Sequence, residues 1–215
     1  MITISAFAQQ KTASELKDFR ELKVFDKIKV ELLHDTQNRI AIVGPQKNDI
    51  TVVEKQGVLK LKMSLDNIWD EKDETKVIVY YKTIETIDVN EGAIVQIKDS
   101  LVQKYIKLSV QEGAKIKGRI VVDQLISKAV TGGTIELSGF SKNQDINIKA
   151  GGQYETQRLI TDSTKVSIGA GGRASVYAKL FVKASTTAGG SIKIYGSPKS
   201  IDSKKVFGGK ILEIN

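Results

Sequence analysis

Residues 131–137 read Thr131-Gly132-Gly133-Thr134-Ile135-Glu136-Leu137, and residues 150–156 read Ala150-Gly151-Gly152-Gln153-Tyr154-Glu155-Thr156. Each is a small-residue turn that opens an alternation of residue types. The turn recurs at Glu91-Gly92-Ala93, Glu112-Gly113-Ala114, Ala170-Gly171-Gly172, Ala188-Gly189-Gly190 and Phe207-Gly208-Gly209. From Gly92 to Gly208 the steps are 21, 19, 19, 20, 18 and 19 residues. A period near 20 describes like units stacked so that each buries its faces against its neighbours.

Aligning the units exposes columns. Three residues after the anchoring glycine stand Val95, Ile116, Ile135, Tyr154, Ala174, Ile192 and Ile211. Five after it stand Ile97, Gly118, Leu137, Thr156, Val176, Ile194 and Glu213. The positions two and four after are mostly polar, and include Lys115, Arg173, Lys117, Glu136, Glu155 and Lys193. This period of 2 marks a strand with one buried face. A second strand runs into the turns, at 106–110, 146–148, 166–168 and 180–182. Each unit is therefore strand, glycine turn, strand and variable loop. Leu212 and Glu213 break the pattern, as expected of a terminal rung that nothing covers. Ile116, Ile135, Tyr154, Ile192 and Ile211 should form one buried column.

Glycine serves such turns in two ways. It accepts positive φ, and it lets successive turns approach closely. The nearest thing to a nucleotide fingerprint, Gly169-Ala170-Gly171-Gly172, lies between two strand patterns and lacks the Lys-Ser/Thr of a phosphate loop. No phosphate cradle is expected there.

In residues 1–90, strand patterns cover 22–30, 39–43, 49–54, 58–63, 76–81 and 84–89, preceded by a short helical turn or arm at 11–18. Val77, Val79 and Tyr81 alternate with Ile78 and Tyr80, which suggests burial on both faces. No long segment has a 3.6-residue period, so the whole chain reads as all-β. It divides into an N-terminal arm, 1–18, and one domain, 19–215. The loop from Ser64 to Thr75 places Asp66, Asp70, Glu71, Asp73 and Glu74 around Trp69. Such a loop suits a hard cation or a stacked sugar ring, or is simply an acidic solvated hairpin. Its spacing is not that of an EF-hand.

The chain has no cysteine, which excludes a disulfide framework and thiolate metal sites. No apolar run approaches the roughly 20 residues of a membrane-spanning helix. Ala6-Phe7-Ala8 followed by Gln9 has the form of a signal-peptidase site without a basic start. The expectation is that Met1 lies inside a longer signal peptide, and that the mature, exported protein begins near Gln9. A short flexible arm is the alternative.

Charge is unevenly spread. Residues 1–90 carry 14 Lys/Arg and 15 Asp/Glu, whereas residues 91–215 carry 19 and 10, a net of +9. A basic surface concentrates polyanions such as acidic glycans. Outward lysines equally serve solubility. Lys115, Lys117, Arg173 and Lys193, all on outward columns, are the candidate ligand contacts. Nucleic acid is not expected, because the basic columns lack interleaved aromatics for base stacking.

Catalysis finds little support. Asp99, Asp123, Asp145, Asp162 and Asp202 fall mostly at different offsets from the turn glycine, so carboxylates do not gather on one face. His34, the single histidine, reads as a turn residue far from any serine elbow. Steps of 18 to 21 residues do not fit the six-residue beat of hexapeptide acyltransferases. No cofactor or metal site is expected.

The order of the parts resembles a known family. Phe25-Asp26-Lys27-Ile28-Lys29-Val30, Arg39-Ile40-Ala41-Ile42-Val43, Gly57-Val58-Leu59-Lys60-Leu61 and Val77-Ile78-Val79-Tyr80 precede the glycine turns, and Ile194-Tyr195-Gly196-Ser197-Pro198 closes them. This is similar to the head GIN domain of autotransporter adhesins, common in Bacteroidetes. The resemblance, over roughly 19–215, implies a right-handed β-solenoid like that of pectin lyases, no established catalytic residues, and an adhesive role. Three functions follow as expectations: a non-catalytic exported solenoid for adhesion or surface binding, a glycan-binding or glycan-processing module using Trp69, and a self-assembling scaffold. The partners implied are acidic surface glycans, another surface protein, or a second copy of the chain.

Overall fold

A computed structural model of the chain describes residues 11–64 and 75–214. Its strands run β1 Lys11–Glu15, β2 Glu21–Val24, β3 Lys29–His34, β4 Arg39–Val43, β5 Ile50–Lys55, β6 Val58–Met63, β7 Lys76–Tyr81 and β8 Thr86–Val89. Four long strands follow, β9 Ile94–Val110, β10 Lys115–Val130, β11 Thr134–Lys149 and β12 Gln153–Ile168. The last are β13 Arg173–Tyr177, β14 Phe181–Thr187, β15 Ser191–Tyr195, β16 Ser200–Val206 and β17 Lys210–Glu213. All join one hydrogen-bonded system wound as a β-solenoid.

The corners show why glycine recurs. At Asn90–Ala93, Glu91 and Gly92 both have left-handed φ, 53° and 70°, and the Ala93 N–H donates to the Asn90 carbonyl at 3.0 Å. Corners also bond to each other: the Gly92 N–H donates to Glu112 O at 2.9 Å and the Gly113 N–H to Thr131 O at 3.1 Å. At the 150–152 corner the two uses of glycine fall on different residues, whereas Gly172 and Gly190 serve both. Gly151 has φ 79° and open space around it, while a Cβ on Gly152 would lie 2.2 Å from the Ala129 carbonyl oxygen. One corner has no glycine at all. Asp26 and Lys27 take φ 56° and 59°, and the Lys27 N–H donates to Glu91 O at 2.8 Å. The strand expected at 22–30 is therefore two strands, β2 and β3, either side of this corner.

Asp26, Glu91 and Glu112 thus stand at the same corner of successive coils. Hydrogen bonding to Asp26, then partial burial and the Asp26 charge, raise the Glu91 pKa above the ordinary carboxylate value. A carboxyl with a raised folded pKa favours folding fully only below its unfolded pKa, and that contribution is lost as pH rises through the folded value. Glu91→Gln is accordingly expected to raise the melting temperature near pH 7, by the equivalent of roughly 0.5 kcal/mol or less for so exposed a group. The gain should shrink as pH falls towards 4.5, the ordinary value. Melting curves of both proteins across that range test it.

Between the glycine-turn strands the chain does not loop out. In β9 to β12 it stays extended through a third side, so that Val102, Val121, Phe140 and Ile160 remain register partners. The expected variable loop is absent from these coils because a chain in register pairs its backbone groups with the rungs above and below. After Tyr177 the third side shortens to Ala178-Lys179-Leu180.

Stack order departs from chain order at the N-terminal end. The β2–β3 coil lies between the β6–β7 coil and the β8–β9 coil. Beyond it, β5 pairs antiparallel with β6, β4 with β7, and β1 with β4. These antiparallel strands cover the apolar end of the stack. Residues 11–15, read as a helical turn or arm, form strand β1, because pairing with β4 overrides a weak local preference. Ile78 and Tyr80 are only half-buried, so β7 has one core face rather than two.

Ile116, Ile135, Tyr154, Ala174 and Ile192 are buried and follow one another in parallel register; Ile211, on the last rung, is half-buried. One polar chain crosses this core. The Tyr154 hydroxyl donates to Gln144 Oε1 at 2.9 Å, and Gln144 Nε2 donates to Thr164 Oγ1 at 2.8 Å. Thr164 Oγ1 lies 2.8 Å from Thr161 Oγ1, which donates to the Tyr177 carbonyl at 2.6 Å.

Candidate functional site

The strands that follow the glycine turns present two outward columns. In parallel register one reads Ile94, Lys115, Thr134, Gln153, Arg173, Ser191 and Lys210. The other reads Gln96, Lys117, Glu136, Glu155, Ser175, Lys193 and Leu212. Neighbouring side chains of a column are held one rung apart, roughly 4.8 Å. The four candidate contacts do share this face, with Arg173 and Lys193 exposed. They do not form a continuous basic track. Glu136 and Glu155 interrupt the second column, and Lys115 pairs with Glu136. Trp69 and its acidic neighbours lie outside the described residues.

Beside the second column runs a groove of about 370 Å³, bordered by Gln96, Lys117, Glu136, Glu155, Gln157 and Arg158. Two register shifts make it, one between Lys117 and Arg119 against β9, the other between Glu136 and Ser138 against β12. Gly118 lines it, and a Cβ there would come within 2.5 Å of the Ile97 Cβ. Cations and carboxylates alternate around the groove with amide groups, which suits a polar, hydroxyl-rich chain better than a purely anionic one. The columns of the sequence did not reveal this groove. The one signal was Gly118 itself, a glycine in an otherwise side-chain-bearing core column.

Carboxylates elsewhere are spread along the stack, and three of them have partners. Asp145 pairs with Lys165 at 3.0 Å and Asp202 with Lys183 at 3.6 Å. The Asp99 carboxylate accepts the His34 backbone N–H at 2.9 Å. His34 ends strand β3 rather than lying in a turn, and its ring packs edge-on against Tyr81 at 5.5 Å. Among the described residues no helix is long and apolar enough to cross a membrane.

Solved structures of the same shape include proteins from Bacteroides and Parabacteroides species. A crystal structure described as a putative adhesin from Bacteroides fragilis superposes with a TM-score of 0.85 at 20% identity, covering 97% of this chain and 98% of that one. A putative adhesin from Parabacteroides merdae gives 0.75 at 15% identity, with 98% of both chains covered. A protein described as a putative lipid binding protein from Parabacteroides distasonis gives 0.73 at 16% identity, again over 98% of both. At such identities the likeness shows the fold alone. A search of curated proteins finds no match. The family model for the putative auto-transporter adhesin, head GIN domain, matches residues 18–198, and the chain belongs to that family.

Proposed function

We propose that the protein is a non-catalytic, exported adhesion module that holds a surface glycan along its outward ladder. The observation that carries this is the pair of polar columns, which repeat hydrogen-bonding and charged groups at a fixed rung spacing on a rigid face. An extended polymer can follow such a face rung by rung. Family membership supports adhesion. The spread of the carboxylates, two of them paired with lysine, supports the absence of turnover. Ala6-Phe7-Ala8 supports export.

The test is retention on an immobilised acidic polysaccharide. Retention is expected near about 20 mM salt and should be lost by a few hundred millimolar, because exposed charges are screened beyond about 8 Å at physiological salt. Reversing Lys115, Lys117, Arg173 and Lys193 to Glu together should abolish it with little change in melting temperature. Glu136→Gln and Glu155→Gln remove the interruptions and should each strengthen binding about two- to fivefold. No retention of the wild type at low salt would sink the glycan reading and leave the lysines as a solubility device. Depolymerisation of the polysaccharide would sink the non-catalytic one.

A further inference from the structure

The third side of the solenoid carries an outward column unlike the others. Val102, Val121, Phe140 and Ile160 are register partners on four consecutive coils. Their neighbours Leu101, Ile120 and Leu159 point into the core, so this column points out. Val102 is 69% exposed and Ile160 38%, with Val121 and Phe140 half-buried between them. An apolar ladder on the surface of an otherwise charged sheet signals a contact face.

Charge says what covers it. Two residues beyond each apolar position stand Lys104, Asp123, Lys142 and Asp162, alternating in sign coil by coil. On the other flank, Ser100, Arg119, Ser138 and Arg158 share a register. Among the described residues neither flanking column takes part in an ion pair within the chain. A two-fold axis across the stack sets each column against its own reverse. Lys104 then meets the second copy's Asp162 and Asp123 meets its Lys142, while each arginine meets a serine. A two-fold along the stack instead sets Asp123 and Asp162 against the second copy's Arg119 and Arg158, and the lysines against serines. Neither arrangement opposes like charges, which is the self-complementarity an isologous interface requires.

We propose that this third side is a self-association face through which two copies of the chain pair, apolar column on apolar column. Four rungs by five residues is about 300 Å² on each copy. That is small, so the association is weak in solution, with Kd on the order of 100 µM. Molecules crowded on one surface would pair far more readily, because tethering raises the effective concentration.

Sedimentation of the full chain from about 10 µM to about 1 mM tests this. The wild type is expected to shift from monomer to dimer, and a wild type that stays monomeric throughout overturns the proposal. Val102→Glu with Ile160→Glu should weaken association about tenfold or more. Asp123→Lys with Asp162→Lys opposes like charges in both arrangements, should do the same, and covers the case in which the first variant fails to fold. The absence of native cysteine allows a clean cross-link. Under oxidation, Val121→Cys alone should join copies related by the axis along the stack. A mixture of the Val121→Cys and Phe140→Cys proteins, but neither alone, should join those related by the axis across it; the two cysteines are kept on separate chains because residues 121 and 140 are register partners within one chain. Cross-linking in neither case overturns the proposal.

Discussion

Ile135→Asp is expected to cost about 4 kcal/mol or more, a large fraction of the roughly 5–15 kcal/mol that holds a typical domain. Ile135 is fully buried, and its register partners on the adjacent coils are Ile116 and Tyr154. A carboxylate at this point has aliphatic and aromatic neighbours and no cation, so it either loses its hydration unpaid or takes up a proton at a cost in free energy. The control is its neighbour. Glu136 points outward, so Glu136→Thr should change stability by about 0.5 kcal/mol or less. Chemical denaturation of the two variants reads the register directly. An unfolding midpoint for Ile135→Asp equal to that of the wild type would rule it out.

Gly152→Ala is expected to cost about 3 kcal/mol, and Gly151→Ala about 1 kcal/mol, although the residues are adjacent. The added methyl on Gly152 would meet the Ala129 carbonyl oxygen at 2.2 Å and its carbon at 2.6 Å. Both are main-chain atoms of the coil below, fixed by the ladder, so the rung itself must move. On Gly151 the methyl meets nothing, and the cost is only that of a left-handed φ. The preceding residue, Ala150, already accepts such a φ, 48°. Equal losses from the two substitutions, measured by thermal unfolding, would show that conformational freedom rather than close approach sets the need for the second glycine.

The coils were legible in the sequence because glycine marks their corners and alternation marks their faces. Where either marker fails, so did the reading. Asp26-Lys27 makes the same corner as Glu91-Gly92, but a lysine in left-handed conformation gives no composition signal, and one strand was expected where there are two. Val102, Val121, Phe140 and Ile160 fall in the stretch expected to be variable loop, so their alignment across coils went unread. The same expectation hid the groove, which depends on register shifts at Gly118 that no single coil displays. Of the N-terminal cap, β4 and β5 were expected as strands and β1 was not, and the antiparallel pairing and place in the stack depend on contacts between distant segments. The four basic side chains lie on the outward columns where the alternation puts them. What the columns could not convey is that Glu136 and Glu155 stand between them.

The polar chain from Tyr154 to Thr161 has a consequence for folding. Coils of like length and like aliphatic columns invite a threading error, in which one strand set docks a whole coil out of place and still buries its side chains. Gln144 and its partner Tyr154 occur on one coil, with Leu125 and Thr164 as the column neighbours of Gln144. A shift by one coil leaves Gln144 across from Ile135 or Ala174, with its amide unmet in the core. Each buried group left so costs about 1–3 kcal/mol. The aliphatic ladder supplies cohesion without an address. The three-coil chain of hydroxyls and one amide supplies the address, and acts as a checksum that a misthreaded solenoid fails.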